Sequence, residues 1–492
     1  MNWLRRQRPF HLYLALVVAF VLVRFLFIAI TTAGEYRLYK DYGDEARNTS
    51  LDELYRSRDI EYPQLSVAFG AFAGFVADQL PDSTKYIVRL RPNKWEALYE
   101  NETQAERDVG DRYEAALTLI LFAIDSSSLW LVYAIARRVY PNDDAVARVG
   151  RLFGYVLTTG LTGLILYDRQ DLLIGWLALL ALWSLAAGHP RLGYVLLMVG
   201  TAYKLVPILL LPIWVRAAAT VKAGPNATPG RFLWKVVLEA LIAGLILAAW
   251  PVMTYAFGGG ERGFHYLTWH SKRGLQLEAP AAFPVLLVEP SWEIVSGYGS
   301  FNLRGELADR TAKVMSLLMP LSALIGAGIA ARGFWRWRFA RPSADSGSRL
   351  NGSVQLIPLV VAASLLIWVA FIAFNKVGSP QYLIWVAPLV PLLPLRTWSE
   401  RGWAFLLLVA MLATMLIYPC RYKPDLIGDI IREEPLTWRG PTTFGVFLLG
   451  VKSVTLILAT VWLAVRVWRT PKSIASAIER DAINSPRRSL PE

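Results

Sequence analysis

Long apolar runs recur along the chain from residue 11 to residue 468, and most ionisable residues fall in the segments between them. The hydrocarbon core of a bilayer is about 30 Å thick and takes about 20 apolar residues of helix. The pattern therefore predicts an all-α, multi-pass membrane protein of about twelve membrane segments. The predicted segments are roughly 9–31, 113–137, 148–167, 171–187, 190–203, 204–216, 233–257, 310–331, 355–374, 381–396, 403–418 and 443–466.

Two parts of this pattern are irregular. Lys204 and Pro207 interrupt the apolar run 190–216, which predicts either one kinked span or a re-entrant pair of half-helices. Segment 63–80 is apolar but short, so we expect it to lie on the membrane or to dip into it.

The composition supports a membrane protein. Hydrophobic residues make up 55% of the 492 residues and charged residues only 18%, whereas soluble proteins carry about 25% charged residues. Together with the recurring apolar runs, this excludes a soluble enzyme, a disordered protein and a nucleic-acid binder. The one cysteine, Cys420, allows no internal disulfide.

The distribution of charge predicts the orientation. The net charge is +13, and basic residues are concentrated before the first run, in alternate loops and in the tail 469–492. Positive loops mark the cytoplasmic side, so we expect both termini to be cytoplasmic. The long loop 32–112 carries 16 acidic and 11 basic residues, which fits an outside location. Charge bias does not distinguish twelve spans from ten spans plus a re-entrant pair. Residues 1–468 are predicted to form a single membrane domain.

With this orientation, the polar clusters lie on one predicted face, the outer one. They are the loops 32–112 and 258–309 and the short turns 167–171 and 375–382, together with the region of Lys204. Ionisable groups near a membrane cost free energy unless they face water, a cavity or a partner, so their concentration predicts a site. The alternative is that they are the ordinary polar turns of a multi-pass protein.

The first outer loop combines carboxylates with tyrosines. A carboxylate can act as a general base on a hydroxyl, and tyrosine rings can pack on sugar faces and hydrogen-bond at their rims. The alternative is a solvated loop with interfacial tyrosines. The residues concerned are Glu35, Asp41, Asp44, Asp59 and Glu61, with Tyr36, Tyr39, Tyr42, Tyr55 and Tyr62 between them.

The second outer loop carries a cluster of His265, His270, Lys272 and Arg273. Arginine binds phosphate in a bidentate manner, and at a membrane surface a lipid phosphate is the natural partner. The alternative is an ordinary interfacial belt of basic and aromatic residues. Two histidines without a third clear ligand are a weak metal signal, so we expect neither a metal nor a cofactor.

Four stretches in order resemble a known family. They are Glu35 to Tyr42 followed by Asp59-Ile60-Glu61-Tyr62-Pro63, then Arg169-Gln170-Asp171 with Tyr203-Lys204-Leu205-Val206-Pro207, then His270 to Glu278 (HSKRGLQLE), and Ser379-Pro380-Gln381-Tyr382. Over most of its length the chain is similar to the polyprenyl-phosphate-sugar-dependent membrane glycosyltransferases of glycosyltransferase family 87, in the GT-C superfamily.

Two positions depart from the family pattern. The aspartate that is usual in the first loop is Glu35 here, and the second proline after the Glu-Tyr-Pro motif is Gln64. Glutamate offers the same chemistry with a side chain longer by about one methylene, so Asp41 and Asp44 remain alternative bases.

The resemblance implies that a hexose, mannose being the first choice, passes from a polyprenyl-phosphate donor to a hydroxyl of a glycan or glycolipid acceptor. A first-loop carboxylate (Glu35, Asp41 or Asp44) would act as base, with inversion at the anomeric carbon, and membrane lipid is a further partner. The residues expected to contact the substrates are Tyr39, Asp59, Glu61, Tyr62, Arg169, Asp171, Lys204, His270, Arg273, Gln276, Glu278, Lys376, Gln381 and Tyr382.

Two other functions remain open. A transporter or flippase of lipid-linked sugars would also have many spans, and Asp125 is the best intramembrane charge for it. The alternative for Asp125 is a helix-packing hydrogen bond. An inactive relative that only binds is the third possibility, which the substitution at Glu35 keeps open.

Overall fold

The computed structural model describes residues 9–30, 36–81, 104–224, 227–289, 291–339, 352–395, 397–428, 430–432 and 437–469. The helices in chain order are α1 (Pro9–Ile30), α2 (Tyr36–Asn48), α3 (Leu51–Ser57), α4 (Gln64–Asp78), α5 (Gln104–Val139), α6 (Ala145–Gly160), α7 (Gly163–Leu166), α8 (Leu172–Ala186), α9 (Leu192–Tyr203), α10 (Leu211–Lys222), α11 (Pro229–Phe257), α12 (His265–Lys272), α13 (Ala282–Val288), α14 (Glu306–Phe339), α15 (Gly352–Ala373), α16 (Tyr382–Val386), α17 (Trp398–Met415) and α18 (Thr443–Arg469). Short 3₁₀ turns follow α9, α11 and α16, and two π-helical turns, Leu416–Cys420 and Tyr422–Ile427, follow α17.

Seven of the described helices are long and apolar enough to cross a membrane. They are α1, α5, α11, α14, α15, α17 with its first π turn, and α18. The prediction of a helical membrane protein is confirmed. Four further apolar segments, namely α4, α8, α9 and Tyr382–Leu392, are only 10–17 residues long. The count of twelve membrane segments therefore stays a prediction.

The interruption predicted within 190–216 is present. Helix α9 ends at Tyr203, Lys204 is extended at φ −158° and ψ 130°, and a 3₁₀ turn covers Val206–Leu210 before α10 begins. Pro207 has no backbone N–H to donate to the carbonyl of Tyr203, four residues earlier, and its ring would clash with that carbonyl, so a continuous α-helix is prevented. The break leaves Lys204 at a helix end.

Helix α15 lies at the centre of the bundle and packs against α14 and α18. In its most apolar window 94% of residues are buried, against 11% in α11 and 17% in α14. A helix that is apolar on all sides is expected in a core or in lipid. The buried fractions therefore distinguish the central helix α15 from α11 and α14, whose exposed surfaces fit contact with lipid.

Asp125 of α5 takes part in a buried polar network. Its Oδ2 accepts hydrogen bonds from Arg24 Nε of α1 at 2.7 Å and from the Tyr167 hydroxyl at 2.6 Å. The Tyr155 hydroxyl of α6 also donates to Asp125. Arg24 and Asp125 are both fully buried. The aspartate therefore links three helices and the turn that precedes Asp168.

The structure also contains a small antiparallel sheet, which the apolar pattern did not predict. Its strands are β1 (Leu275–Gln276), β2 (Glu293–Gly297), β3 (Ser300–Arg304), β4 (Ile430–Arg432) and β5 (Thr437–Trp438), in the order β1-β3-β2-β5-β4. The strands are two to five residues long, too short for a clear period-2 signal. The sheet joins the loop 258–309 to the segment before α18.

Candidate functional site

A cavity of about 670 Å³ opens where several helices end. The segments before α4, after α9, after α12 and between α15 and α16 all contribute to its wall. Ten of the residues predicted from the sequence line it. They are Glu61, Tyr62, Arg169, Lys204, Arg273, Gln276, Glu278, Lys376, Gln381 and Tyr382.

An ion pair stands in the polar wall of the cavity. Arg273 follows α12 and Glu61 precedes α4, and the Arg273 Nη2 atom lies 2.9 Å from Glu61 Oε2. The two side chains are only 11% and 12% exposed. Two elements 212 residues apart in the chain are thereby held together at the cavity.

A second charged group combines Asp171, Lys204 and an aromatic ring. Asp171 Oδ1 accepts from Lys204 Nζ and from Trp385 Nε1, each at 2.6 Å. The ammonium also lies 5.2 Å from the Trp385 ring centroid, within cation–π range. Arg169, two residues before Asp171, lines the same cavity. The Lys204 charge is therefore held in one position by a carboxylate that lies behind the wall.

The turn between α15 and α16 is joined to strand β1. Lys376 Nζ donates to the carbonyl oxygens of Ser271 at 2.9 Å and Arg273 at 2.6 Å. The Gln276 N–H donates to the Lys376 carbonyl at 2.9 Å, and Gln276 Oε1 accepts from the Gly378 N–H at 3.0 Å. Burial is the main cause that lowers the pKa of Lys376, and the positive charge of Arg273 lowers it further. The predicted residues of two motifs thus form one wall.

Glu278 and Tyr382 are buried at the back of this wall. Glu278 is 3% exposed, and burial raises the pKa of its carboxyl group. The Tyr382 ring stacks on the Trp385 ring with 4.5 Å between centroids. Gln381, next to Tyr382, is buried, and its Oε1 has no hydrogen-bond partner among the described residues.

Lys452 of α18 supports the same wall and was not predicted. It is 1% exposed, and its Nζ donates to the carbonyl oxygens of Glu278 and Gly378, each at 3.0 Å. A lone lysine in an otherwise apolar span is the signal that would have found it, since intramembrane cations have buried partners. Trp385, Tyr418 and Tyr422 are further lining residues outside the predicted set.

The other part of the cavity wall is apolar. Leu205 and Leu209 from the break after α9, Met319 of α14 and Phe371 of α15 line it. The charged residues and these apolar residues share one cavity. Such a lining matches a ligand with a polar head and an apolar tail.

The alternative bases lie outside the lining of the cavity. Asp41 is exposed on α2. Asp44 is paired with Lys40 Nζ at 2.9 Å and lies 3.5 Å from Arg47 Nη1. Both aspartates belong to a polar helix face of the first loop.

Two other predicted contacts lie beside the cavity. Tyr39 is buried, and its ring centroid lies 5.5 Å from that of Tyr62, which does line the cavity. Asp59 is 58% exposed at its side chain and lies 3.1 Å from His265 Nε2. Glu35 lies outside the described residues, and of His270 only the backbone, in α12, is described.

The wall carries more positive than negative charge. Four cationic side chains line it, Arg169, Lys204, Arg273 and Lys376, against the two carboxylates Glu61 and Glu278. In the described part of the chain, no group of three or more His, Cys, Asp or Glu residues is placed to hold a metal ion. The arrangement fits an anionic group better than a cation.

No family model matches the chain, and a search of curated proteins finds no match either.

Proposed function

We propose that the protein is a membrane glycosyltransferase of GT-C-like architecture that takes a hexose, mannose as first choice, from a polyprenyl-phosphate donor. The observation that carries this proposal is the cavity, in which four cations and two carboxylates share one wall with apolar residues. A sugar with a lipid-linked phosphate has the matching parts, namely an anionic group, hydroxyls and an apolar tail. The four ordered motifs of the sequence support the same assignment.

The phosphate of the donor would bind among Arg169, Lys204 and Arg273. Charge-assisted hydrogen bonds from arginine and lysine are the strongest that proteins offer to phosphate. The same cations would stabilise the negative charge that develops on the leaving phosphate. The bound polyprenyl tail would extend along Leu205, Leu209 and Met319 towards the lipid. We place this cavity on the outer side of the membrane, with both termini inside and up to twelve segments across.

The reaction would be a single displacement. The acceptor hydroxyl oxygen attacks the anomeric carbon, and the bond from that carbon to the phosphate oxygen breaks, so the electron pair leaves with the lipid phosphate. The acceptor proton passes to a carboxylate. Glu35 is the base that the resemblance implies, and Glu61 is the first-loop carboxylate that lines the cavity. One base suffices for an inverting transfer.

The deciding experiment offers radiolabelled polyprenyl-phosphate mannose and glucose to the protein in lipid nanodiscs, with a panel of glycan and glycolipid acceptors. Glu35→Gln, Glu61→Gln, Asp41→Asn and Asp44→Asn are assayed beside the wild type, with Glu53→Gln as the matched control. Glu53 is an exposed carboxylate of the same loop. We expect transfer by the wild type and the control, and its loss in Glu35→Gln or Glu61→Gln.

Two results would refute the enzyme. One is tight donor binding without transfer or donor hydrolysis. The other is accelerated movement of the labelled donor across the bilayer of reconstituted vesicles. The second result would favour the transporter, which shares the cavity but needs no base.

A further inference from the structure

The turn between β2 and β3 has an unusual residue in it. Gly297 pairs with Ser300, so the loop consists of Tyr298 and Gly299 alone. Their φ angles are 53° and 66°. Positive φ at both positions is the pattern of a type I′ hairpin, in which Asn-Gly and Gly-Gly are favoured. In the described part of the chain, Tyr298 is the one non-glycine residue with positive φ. A bulky aromatic residue is rare in this conformation.

The unfavourable backbone presents an aromatic ring to solvent. Tyr298 is 42% exposed, and its ring meets the Trp269 ring edge-on, with 5.5 Å between centroids and 88° between planes. Trp269 lies in α12, and its indole N–H is buried without a hydrogen-bond partner among the described residues. We call Trp269 and Tyr298 the aromatic corner. If Tyr298 served packing alone, its ring would be expected to be covered by neighbours.

The aromatic corner stands at the polar side of the cavity. Gly299, next to Tyr298, lines the cavity. A Cβ atom added to Gly299 would lie 3.8 Å from Arg273 Nη2 and 3.9 Å from Glu61 Oε2. The turn therefore passes directly beside the ion pair. The rings of the corner are not part of the cavity lining, so they border the site from outside.

We propose that the aromatic corner binds the pyranose ring of the acceptor, a proposal that rests on the glycosyltransferase function above. Aromatic rings pack against the C–H face of a sugar, and tyrosine and tryptophan add a polar rim. The donor enters along the apolar wall of Leu205 and Met319 and its phosphate reaches Arg273, which leaves the Glu61 side of the ion pair to the second substrate. An acceptor sugar on the corner would place a hydroxyl next to Glu61 and the cavity.

The test distinguishes the effect of the Tyr298 ring from an effect on the folding of the turn. Tyr298→Asn removes the ring and supplies a residue that the type I′ turn favours, so its hairpin should fold at least as well. Tyr298→Phe keeps the ring and loses only the hydroxyl. Trp398→Ala is the matched control, because Trp398 is 83% exposed at the start of α17 and does not line the cavity.

Acceptor and donor are measured separately in lipid nanodiscs. We expect Tyr298→Asn to raise the acceptor KM about fivefold, the scale of one aromatic contact. Donor affinity should stay unchanged in both Tyr298 variants. Tyr298→Phe should raise the acceptor KM less than Tyr298→Asn because it keeps the ring, and Trp398→Ala should behave like the wild type. A readout without turnover is saturation-transfer NMR with methyl mannoside, mannobiose and methyl glucoside as probes.

Three results would overturn the proposal. The first is an unchanged acceptor KM in Tyr298→Asn. The second is equal probe binding by Tyr298→Asn and the wild type, or no binding of any of the three probes to the wild type. The third is a change in donor affinity alone, which would assign the corner to the donor sugar. If the wild type did not bind the donor, the glycosyltransferase function would be refuted, and this inference would fall with it.

Discussion

Lys452 Nζ donates a hydrogen bond of 3.0 Å to the carbonyl oxygen of Glu278, a residue 174 positions earlier in the chain. The same ammonium donates to the Gly378 carbonyl at 3.0 Å. One buried cation of α18 thus ties together two segments that line the cavity. The polar wall is therefore held in place from inside the helix bundle.

Replacement of this cation should disturb the wall. Lys452→Met leaves two buried carbonyl oxygens without their donor, and each such loss costs about 1–3 kcal/mol. We expect a lower midpoint of thermal unfolding in nanodiscs and weaker donor binding. Thr460→Val is the control, because among the described residues the Thr460 hydroxyl bonds only to the carbonyl of Leu456 in its own helix. Equal midpoints and donor affinities for Lys452→Met and Thr460→Val would show that Lys452 does not position the wall.

The buried pair Arg24–Asp125 gives a second prediction. Arg24→Met leaves Asp125 charged and buried, and breaking a buried pair in this way costs about 3–5 kcal/mol. The double variant Arg24→Met/Asp125→Leu removes both charges and should regain much of the loss. The measurement is the thermal midpoint of the purified variants in one detergent. Arg310→Met, which breaks the exposed pair of Arg310 with Glu306, should change little. A double variant no more stable than Arg24→Met would contradict the pairing.

The sequence predicts the helices well because a membrane demands long apolar segments. The seven long helices all coincide with predicted segments, and the break at Lys204 lies where Pro207 demands it. The same argument does not tell whether the short helices α8, α9 and α16 cross the membrane. A segment enclosed by other helices need not match the bilayer thickness, so its length does not reveal whether it crosses.

The candidate site was predicted in part. Motif residues such as Arg273, Gln276 and Gln381 do line one cavity, because short polar segments at helix ends converge there. Lys452 was missed because its partners are carbonyl groups, and a sequence does not show which backbone groups remain without donors. Tyr298 was missed because its place beside the cavity depends on a φ angle and on strands too short to predict.

Glu278 should make stability depend on pH. Burial raises the pKa of its carboxyl group above the value of 4.5 for an ordinary glutamate. Between these two pKa values the folded protein binds more protons than the unfolded chain, so stability falls as pH rises. The measured quantity is the difference in thermal midpoint, wild type minus Glu278→Gln. We expect this difference to decrease as pH rises from about 4.5. A parallel series with Glu53→Gln, an exposed carboxylate, should give a constant difference. A constant difference for Glu278→Gln would contradict the shift.

The ion pair between Arg273 and Glu61 gives the sharpest prediction, because donor binding and transfer should respond in opposite ways. If the donor phosphate binds Arg273, it competes with the Glu61 carboxylate, which lies 2.9 Å from the guanidinium. Arg273→Gln removes a charge-assisted contact worth about 1.5–3 kcal/mol and should weaken donor binding about 10- to 100-fold. Glu61→Gln frees the guanidinium, so it should bind the donor at least as tightly as the wild type.

The measurement is equilibrium binding of radiolabelled polyprenyl phosphate and its mannosyl ester in nanodiscs, followed by single-turnover transfer on the same samples. Arg310→Gln is the control, because Arg310 is exposed and does not line the cavity. Transfer by Glu61→Gln should be slow in spite of full donor occupancy if Glu61 is the base. Normal transfer by that variant would leave the base among Glu35, Asp41 and Asp44, and weaker donor binding by it would show that Glu61 itself contacts the donor.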